Sequence, residues 1–181
     1  MKKTFNSTKS MLLLLAMGIT LVACSNEPLL ENQEASLKIS VLDKSNSDRS
    51  NKLHFNTSIN GKNEVPARET KAVGQAIVTI SKDESSVHYK VIVANLENAV
   101  AAHFHMAPAG TNGGVVRGIF ANPNASGPMN GILAEGDITD ADLVGALAGN
   151  LAGFIEALRS GNIYVNIHTA AYPGGEIRGQ L

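Results

Sequence analysis

The chain has 181 residues, 17% of them charged, and a formal net charge of −1 at pH 7. Because this balance is even and the basic residues are scattered, nucleic acid is excluded as a partner. The chain contains one cysteine and no tryptophan. These counts exclude an internal disulfide, and they leave few aromatic side chains for stacking on sugars or bases.

The first 23 residues have the pattern of an export signal. Lys2, Lys3 and Lys9 give this segment a positive start, and residues 11–21 form an almost unbroken apolar run. A stable membrane-spanning helix needs roughly 20 apolar residues, so this run is too short to be one. We therefore predict that residues 1–23 are a signal peptide.

The apolar run ends in Leu21-Val22-Ala23-Cys24, which resembles a bacterial lipobox. The resemblance implies cleavage before Cys24, a thioether-linked diacylglycerol on its sulfur and an acyl chain, such as palmitate, on its amine. Several acyl chains make a lasting membrane anchor. A lipidated Cys24 leaves no cysteine for a thiolate metal site or a nucleophile. An ordinary secretory signal that contains a cysteine is the alternative.

Residues 24–51 are rich in Ser, Asn, Glu, Lys and Asp, which predicts a flexible tether. Within it, the apolar patch at residues 37–42 alternates as an isolated strand would. Ser25, in place of Asp after the lipidated cysteine, fits sorting to the outer membrane of a bacterium with two membranes. The membrane face, periplasmic or external, stays open. Residues 52–181 have the size of one domain.

Apolar and polar residues alternate along this domain, in short runs separated by turns rich in Gly, Pro and Asn. Such alternation with period two predicts half-buried strands. The predicted strands are residues 53–60, 73–81, 87–94, 100–106, 115–120, 132–137, 163–168 and 176–181. The spacing favours an all-β Greek-key sandwich or barrel of the immunoglobulin-like kind and argues against a parallel α/β fold.

One stretch near residues 140–159 departs from the β pattern. Thr139 or Asp140 is a candidate cap for a helix over residues 141–148, and Asn150 for a second helix over 151–159. Gly161 follows the second helix, as glycine often does at a helix end. The leucines of this stretch recur at helical spacing, so we expect one or two short helices packed on the sheet.

Three histidines are candidate metal ligands. His103 and His105 lie in Ala-Ala-His-Phe-His, so period two directs both imidazoles to the same side of a strand. Their neighbours Ala102, Phe104 and Met106 should occupy the core, which puts the pair on the outer face.

The third histidine, His168, lies in Tyr-Val-Asn-Ile-His-Thr. If Ile163, Val165 and Ile167 are buried, then Tyr164, Asn166 and His168 face outward. A copper or zinc ion held by the three histidines would sit against the barrel wall, under loops, with a position left for water or for a partner's ligand. Ordinary exposed histidines, such as His54 and His88 on their polar faces, are the alternative.

The domain resembles the CHRD family, named after chordin. The marks are Asn63-Glu64-Val65-Pro66, then Ala101-Ala102-His103-Phe104-His105 with a Gly/Pro loop after it, and above all the ending over residues 161–181. Chordin antagonises bone morphogenetic proteins, but the family has no settled biochemical role. The resemblance covers most of residues 53–181.

CHRD domains are in turn faintly similar to copper–zinc superoxide dismutases, which have an eight-stranded Greek-key barrel. By this resemblance His103 and His105 correspond to the His-x-His pair, His168 to the late ligand and Arg178 to the arginine above the copper. The chain departs from those enzymes because no histidine lies between His105 and His168, and because the paired disulfide cysteines are absent. These absences argue against dismutation.

Residues near the histidines have alternative readings. Glu176 or Arg178 could lie beside His168 across the closing hairpin and hold that ligand in place without binding the metal. Alternatively, the two could form an exposed cross-strand charge pair. Glu64 is favoured as a turn residue before Pro66. Met106 faces the core in this scheme and Met129 lies in a loop, so a thioether ligand has little support.

Three functions follow from these patterns. The first is a non-enzymatic binding module of the cell envelope, anchored to the membrane at Cys24, with a three-histidine metal site and an unknown protein or small-molecule ligand. The second is a copper- or zinc-dependent enzyme, or a metal-handling protein, acting on small oxidants. The third is a structural envelope domain without a ligand. The chain has no nucleophile elbow and no phosphate-binding glycine loop, so a binding module is favoured over an enzyme.

Overall fold

Alternating residues form eight strands in the part of the chain that the structure describes. A computed structural model describes Lys38 and residues 51–181. The strands are β1 His54–Asn60, β2 Val73–Ile80, β3 Val87–Glu97, β4 Ala99–Met106, β5 Gly114–Ala121, β6 Pro128–Ile138, β7 Ile163–Thr169 and β8 Ile177–Gln180. Each of the predicted strands is present. The predicted signal peptide, Cys24 and almost all of the tether lie outside the described residues.

The strands form one antiparallel sheet in the order β5-β4-β7-β8-β1-β2-β3-β6. Neighbours such as β4 and β7 are distant in sequence, so the chain crosses over repeatedly, and the sheet nearly closes into a barrel. This confirms the all-β sandwich or barrel that the alternation predicted. For function, the important result is that β7 lies between β4 and β8 and brings late residues beside the His-x-His pair.

The barrel interior is apolar and closes around aromatic rings. Phe104 of β4 lies edge-to-face with Tyr89 of β3, with ring centroids 5.6 Å apart, and with Phe154, at 6.0 Å. Edge-to-face pairs add to the stabilisation from burial alone. Because Phe104 is fixed inward, its neighbours His103 and His105 are directed outward from β4.

One predicted helix is present and the other is not. Helix α1 spans Leu151–Arg159, the Asn150 side chain accepts from the Gly153 N–H, and Gly161 follows with φ of 71°. The helix predicted over residues 141–148 is wrong. Two 3-10 turns, Asp140–Asp142 and Gly145–Leu147, stand there instead. No helix among the described residues is long and apolar enough to span a membrane.

The first helix fails because strand β5 competes for the backbone. The Val144 N–H donates to the carbonyl of Val116, 2.9 Å away, and Val144 is extended. An N–H committed to a strand cannot also donate within a helix. Gly145 follows with φ of 59°, and a Cβ there would lie 2.6 Å from the Val115 oxygen. The leucine spacing reflects the burial of Leu143 and Leu147 without a continuous helix.

The outer face of β7 is buried, contrary to the prediction. Tyr164 and Asn166 do point away from the core, as period two requires, but they are 2% and 4% exposed. Residues from two loops, 61–72 after β1 and 107–113 after β4, contact this outer surface. Met106 is also a correction: it is 39% exposed, and it lies at the end of β4, still paired with Gly114 and Ile163.

Candidate metal centre

The three predicted histidines converge on the outer surface of β4 and β7. In the register of these strands His103 lies opposite Asn166. His168 lies opposite Ala101, two residues farther along each strand. One ring nitrogen from each of His103, His105 and His168 lies within 4.8 Å of the others. His105 is buried under loop 107–113, and His103 and His168 are half-buried. The predicted position, against the barrel wall and under loops, is where they meet.

The backbone determines which nitrogen of His168 is free to bind. Its Nδ1 lies 2.8 Å from the carbonyl oxygen of Pro173. Because a carbonyl can only accept, Nδ1 carries the proton, and the neutral ring keeps its lone pair on Nε2. This Nε2 lies 3.1 Å from Nδ1 of His103. A donor bond from Nδ1 to a backbone carbonyl is the usual support of a metal-binding histidine.

His105 has a similar support on one side. Its Nδ1 lies 3.0 Å from the carbonyl oxygen of Gly113. Gly113 is held in turn by its N–H, which donates to the Tyr164 hydroxyl at 3.1 Å. A Cβ at Gly113 would lie 1.9 Å from the Met106 oxygen, so only glycine allows the loop to come this close. By analogy with His168, Nε2 is the atom of His105 that would reach a metal.

Burial favours the neutral form of His103 and His105. Burial lowers the pKa of His103 to about 4, and the neighbouring charges of His168 and His105 lower it further. Burial also lowers the pKa of His105, although its hydrogen bonds to Gly113 and Asn166 oppose this. Neutral imidazole is the form that binds copper or zinc. Each of these two rings can therefore offer one lone pair at neutral pH.

A stack of side chains supports the ring of His105. The Tyr164 ring lies parallel to it, at 4.8 Å between centroids and 4° between planes. The guanidinium of Arg178 covers the other side of Tyr164, 3.4 Å from the ring centroid. The hairpin of β7 and β8 predicted that Arg178 could support His168, and the dismutase resemblance placed it above the metal. In the structure it reaches His105 through the tyrosine ring.

Glu176 lies in a separate network. Its carboxylate oxygens accept from the hydroxyls of Thr70, at 2.5 Å, and Thr169, at 2.6 Å. Glu176 is 6% exposed and Arg178 is 1% exposed, and each has its own partners. The exposed cross-strand charge pair considered from the sequence is therefore wrong for both residues. Loop 61–72, which supplies Thr70, covers what would otherwise be a solvent-facing edge.

Two functional candidates emerge that the sequence reasoning did not identify. The Asn166 amide oxygen lies 3.0 Å from Nε2 of His105. Glu64 is buried, and its Oε1 has no hydrogen-bond partner among the described residues. Burial raises the pKa of Glu64, opposed by hydrogen bonds from the Val65 N–H and the Asn166 amide and by the charge of Arg178. The only signal in the sequence is the Asn-Glu-Val-Pro motif, which is equally typical of a turn.

The other two histidines take no part in this centre. His54 contacts the Thr79 hydroxyl at 3.3 Å, and His88 lies 3.0 Å from a carboxylate oxygen of Asp137. Both are exposed. They are the ordinary surface histidines that the alternative reading described, and they provide matched controls for the three that converge.

The comparisons with known proteins agree with the motifs. No curated protein and no solved structure matched the chain. The family model of the CHRD domain matches residues 55–181, a range that contains all eight strands except the first residue of β1. The chain therefore belongs to the CHRD domain family.

Proposed function

We propose that this CHRD domain is a metal-binding module that holds a copper or zinc ion on His103, His105 and His168. The observation that carries the proposal is the pair of Nδ1 contacts to backbone carbonyls, at Pro173 and Gly113. With a metal on Nε2, each Nδ1 would donate its proton to the carbonyl oxygen beside it, as metal-binding histidines usually do. Imidazole nitrogens are ligands that suit both metals.

The spacing of the nitrogens supports the same conclusion. Two nitrogens bound to one tetrahedral zinc at about 2.0–2.1 Å lie roughly 3.3 Å apart. Nδ1 of His103 and Nε2 of His168 are 3.1 Å apart, so these two strands need little adjustment to share an ion. The ion would replace the proton that Nδ1 of His103 donates to Nε2 of His168, and the neutral His103 ring would then carry its proton on Nε2.

Three protein ligands leave a coordination position open. We assign that position to water or to a group of a binding partner, which makes the domain a module that presents a metal at its surface. A metalloenzyme acting on small oxidants would use the same three ligands, but it would also lose its activity when the metal is removed. A structural envelope domain would carry no metal at all.

Metal content distinguishes these functions. The full chain, produced by export and purified without a polyhistidine tag, is expected to contain close to one copper or zinc per molecule. The His103→Ala/His168→Ala variant is expected to contain less than a tenth of that amount. The His54→Ala/His88→Ala variant, which loses the same number of histidines from exposed sites, should match the wild type. Equal, near-zero metal in all three proteins would refute the proposal.

We also propose that the module is exported and held at the outer membrane by lipid on Cys24, as the lipobox-like sequence before that residue suggests. The full chain is expected in the membrane fraction, with a mass that includes the diacylglycerol and the acyl chain. The Cys24→Ala chain should lack both and leave the membrane fraction. An unmodified Cys24 in protein recovered from membranes would contradict the anchor.

A further inference from the structure

His105 differs from His168 in having an acceptor beside each ring nitrogen. Nδ1 faces the Gly113 carbonyl oxygen and Nε2 faces the Asn166 amide oxygen, both at 3.0 Å. A neutral imidazole has one N–H, so it cannot donate to both. His168 has no such conflict, because its Nε2 faces a ring nitrogen that can supply the proton. His105 is therefore held differently from His168.

Glu64 determines which end of the Asn166 amide faces His105. A Cβ placed on Gly175 would lie 2.5 Å from Oε1 of Glu64 and 2.9 Å from Nδ2 of Asn166, so the two atoms flank one small space. Oε1 of Glu64 accepts no hydrogen bond from the described residues, and Nδ2, the donor end of the amide, is a polar atom beside the same space. With Nδ2 toward Glu64, Oδ1 must point toward Nε2 of His105.

Gly175 makes this arrangement possible. Gly175 has no side chain to fill the space beside Glu64 and Asn166. Its φ is 117°, a backbone conformation that residues with a side chain disfavour. Asn166 and Glu64 are both more than nine-tenths buried. Water therefore cannot readily substitute for either partner, and the orientation of the amide is set by the protein.

We propose that Asn166 competes with the metal for Nε2 of His105, and that Glu64 maintains this competition by holding the amide in place. This inference rests on the proposed three-histidine site and assigns Asn166 as a residue that tunes it. His103 and His168 bind the ion first, and His105 joins when its Nε2 exchanges the amide oxygen for the metal. In that exchange Nε2 loses its proton to solvent and Nδ1 takes one up, which it donates in a hydrogen bond to the Gly113 carbonyl oxygen, the arrangement that His168 already has with Pro173.

The test is zinc affinity of the full chain, measured by competition with a chelator of known affinity. Asn166→Ala removes the competitor, and an ordinary hydrogen bond corresponds to about threefold to tenfold in an equilibrium constant. Zinc binding is therefore expected to become about threefold to tenfold tighter. The matched control is Thr169→Val, also a buried polar residue of β7 but bonded to Glu176. It should leave the affinity unchanged.

Glu64→Gln separates this competition from simple charge attraction. Loss of a buried negative charge weakens cation binding whatever Asn166 does. The contribution through the amide, however, exists only when Asn166 is present. The zinc association constant of each Glu64→Gln protein is divided by that of the protein that keeps Glu64. This ratio is therefore expected to be higher when Asn166 is present than in the Asn166→Ala background. Equal ratios, or an Asn166→Ala protein that binds zinc no more tightly than wild type, would overturn the inference.

A second readout does not depend on metal. Nitrogen NMR of the metal-free chain reports which ring nitrogen of His105 carries the proton. We expect protonated Nε2 in the wild type and protonated Nδ1 in Asn166→Ala, provided both give folded spectra. The same tautomer in both proteins would refute the competition. Failure of the wild type to bind zinc, with the tautomer change intact, would refute the metal site and the competition, and would leave Asn166 only as the residue that sets the tautomer of His105.

Discussion

Zinc at a hundred times its Kd is expected to raise the free energy of unfolding of the metal-free protein by about 2.7 kcal/mol. The reason is that the ligands come from β4 and β7, residues 103, 105 and 168, and meet only in the folded chain. The His168→Ala variant is expected to lose the stabilisation almost completely. Urea unfolding at several zinc concentrations measures both values.

The dependence on concentration is the stringent part of this prediction. Stabilisation by a ligand of the folded state grows with the logarithm of its free concentration, by about 1.4 kcal/mol for each tenfold increase above Kd. His88→Ala, which removes an exposed histidine beside Asp137, should follow the wild-type line. A zinc effect that survives in His168→Ala, or that is lost in His88→Ala, would locate the ion elsewhere.

The orientation of the histidines could be predicted because it is local. Period two places His103 and His105 on one side of β4 and Phe104 on the other, and the apolar residues identify the inner side. The pairing of β4 with β7 is not local. The sequence did not predict this pairing, because no pattern within either strand specifies its neighbour, and only the resemblance to the dismutases associated His168 with the His-x-His pair.

The depth of the site was not predictable in the same way. Asn166 and Tyr164 were predicted to be exposed, because the alternation of β7 indicates only which face of the sheet they occupy. They are buried by loops 61–72 and 107–113, whose positions depend on contacts such as Asn63 Nδ2 to the Arg178 carbonyl oxygen. For the same reason the sequence predicted Glu64 only as a turn residue. Its role depends on Gly175, more than a hundred positions later in the chain.

Replacing Arg178 by methionine is expected to lower the free energy of unfolding by about 3 kcal/mol. The guanidinium donates to the Thr111 carbonyl oxygen at 2.8 Å, to Asn112 Oδ1 at 3.2 Å and to Gln180 Oε1 at 3.3 Å. Methionine leaves these acceptors without a donor and removes the cation from the ring of Tyr164. It also removes a positive charge that lowers the pKa of buried Glu64. Urea unfolding of the metal-free proteins gives the difference.

Arg159→Met is the control, because Arg159 pairs with the exposed carboxylate of Glu84 at 2.6 Å. The Glu84 side chain is 45% exposed and that of Arg159 is 11% exposed, so solvent screens the pair and this variant should lose less stability than Arg178→Met. A loss below 1 kcal/mol in Arg178→Met would show that the buried guanidinium is not a main stabiliser.

A second consequence of the Arg178→Met substitution follows from the hydrogen-bond partners of Arg178. Arg178 holds Thr111 and Asn112, next to Gly113, so the loop that supports Nδ1 of His105 should loosen. Arg178→Met should therefore bind zinc more weakly than wild type, although residue 178 is not itself a ligand, whereas Arg159→Met should bind it equally well.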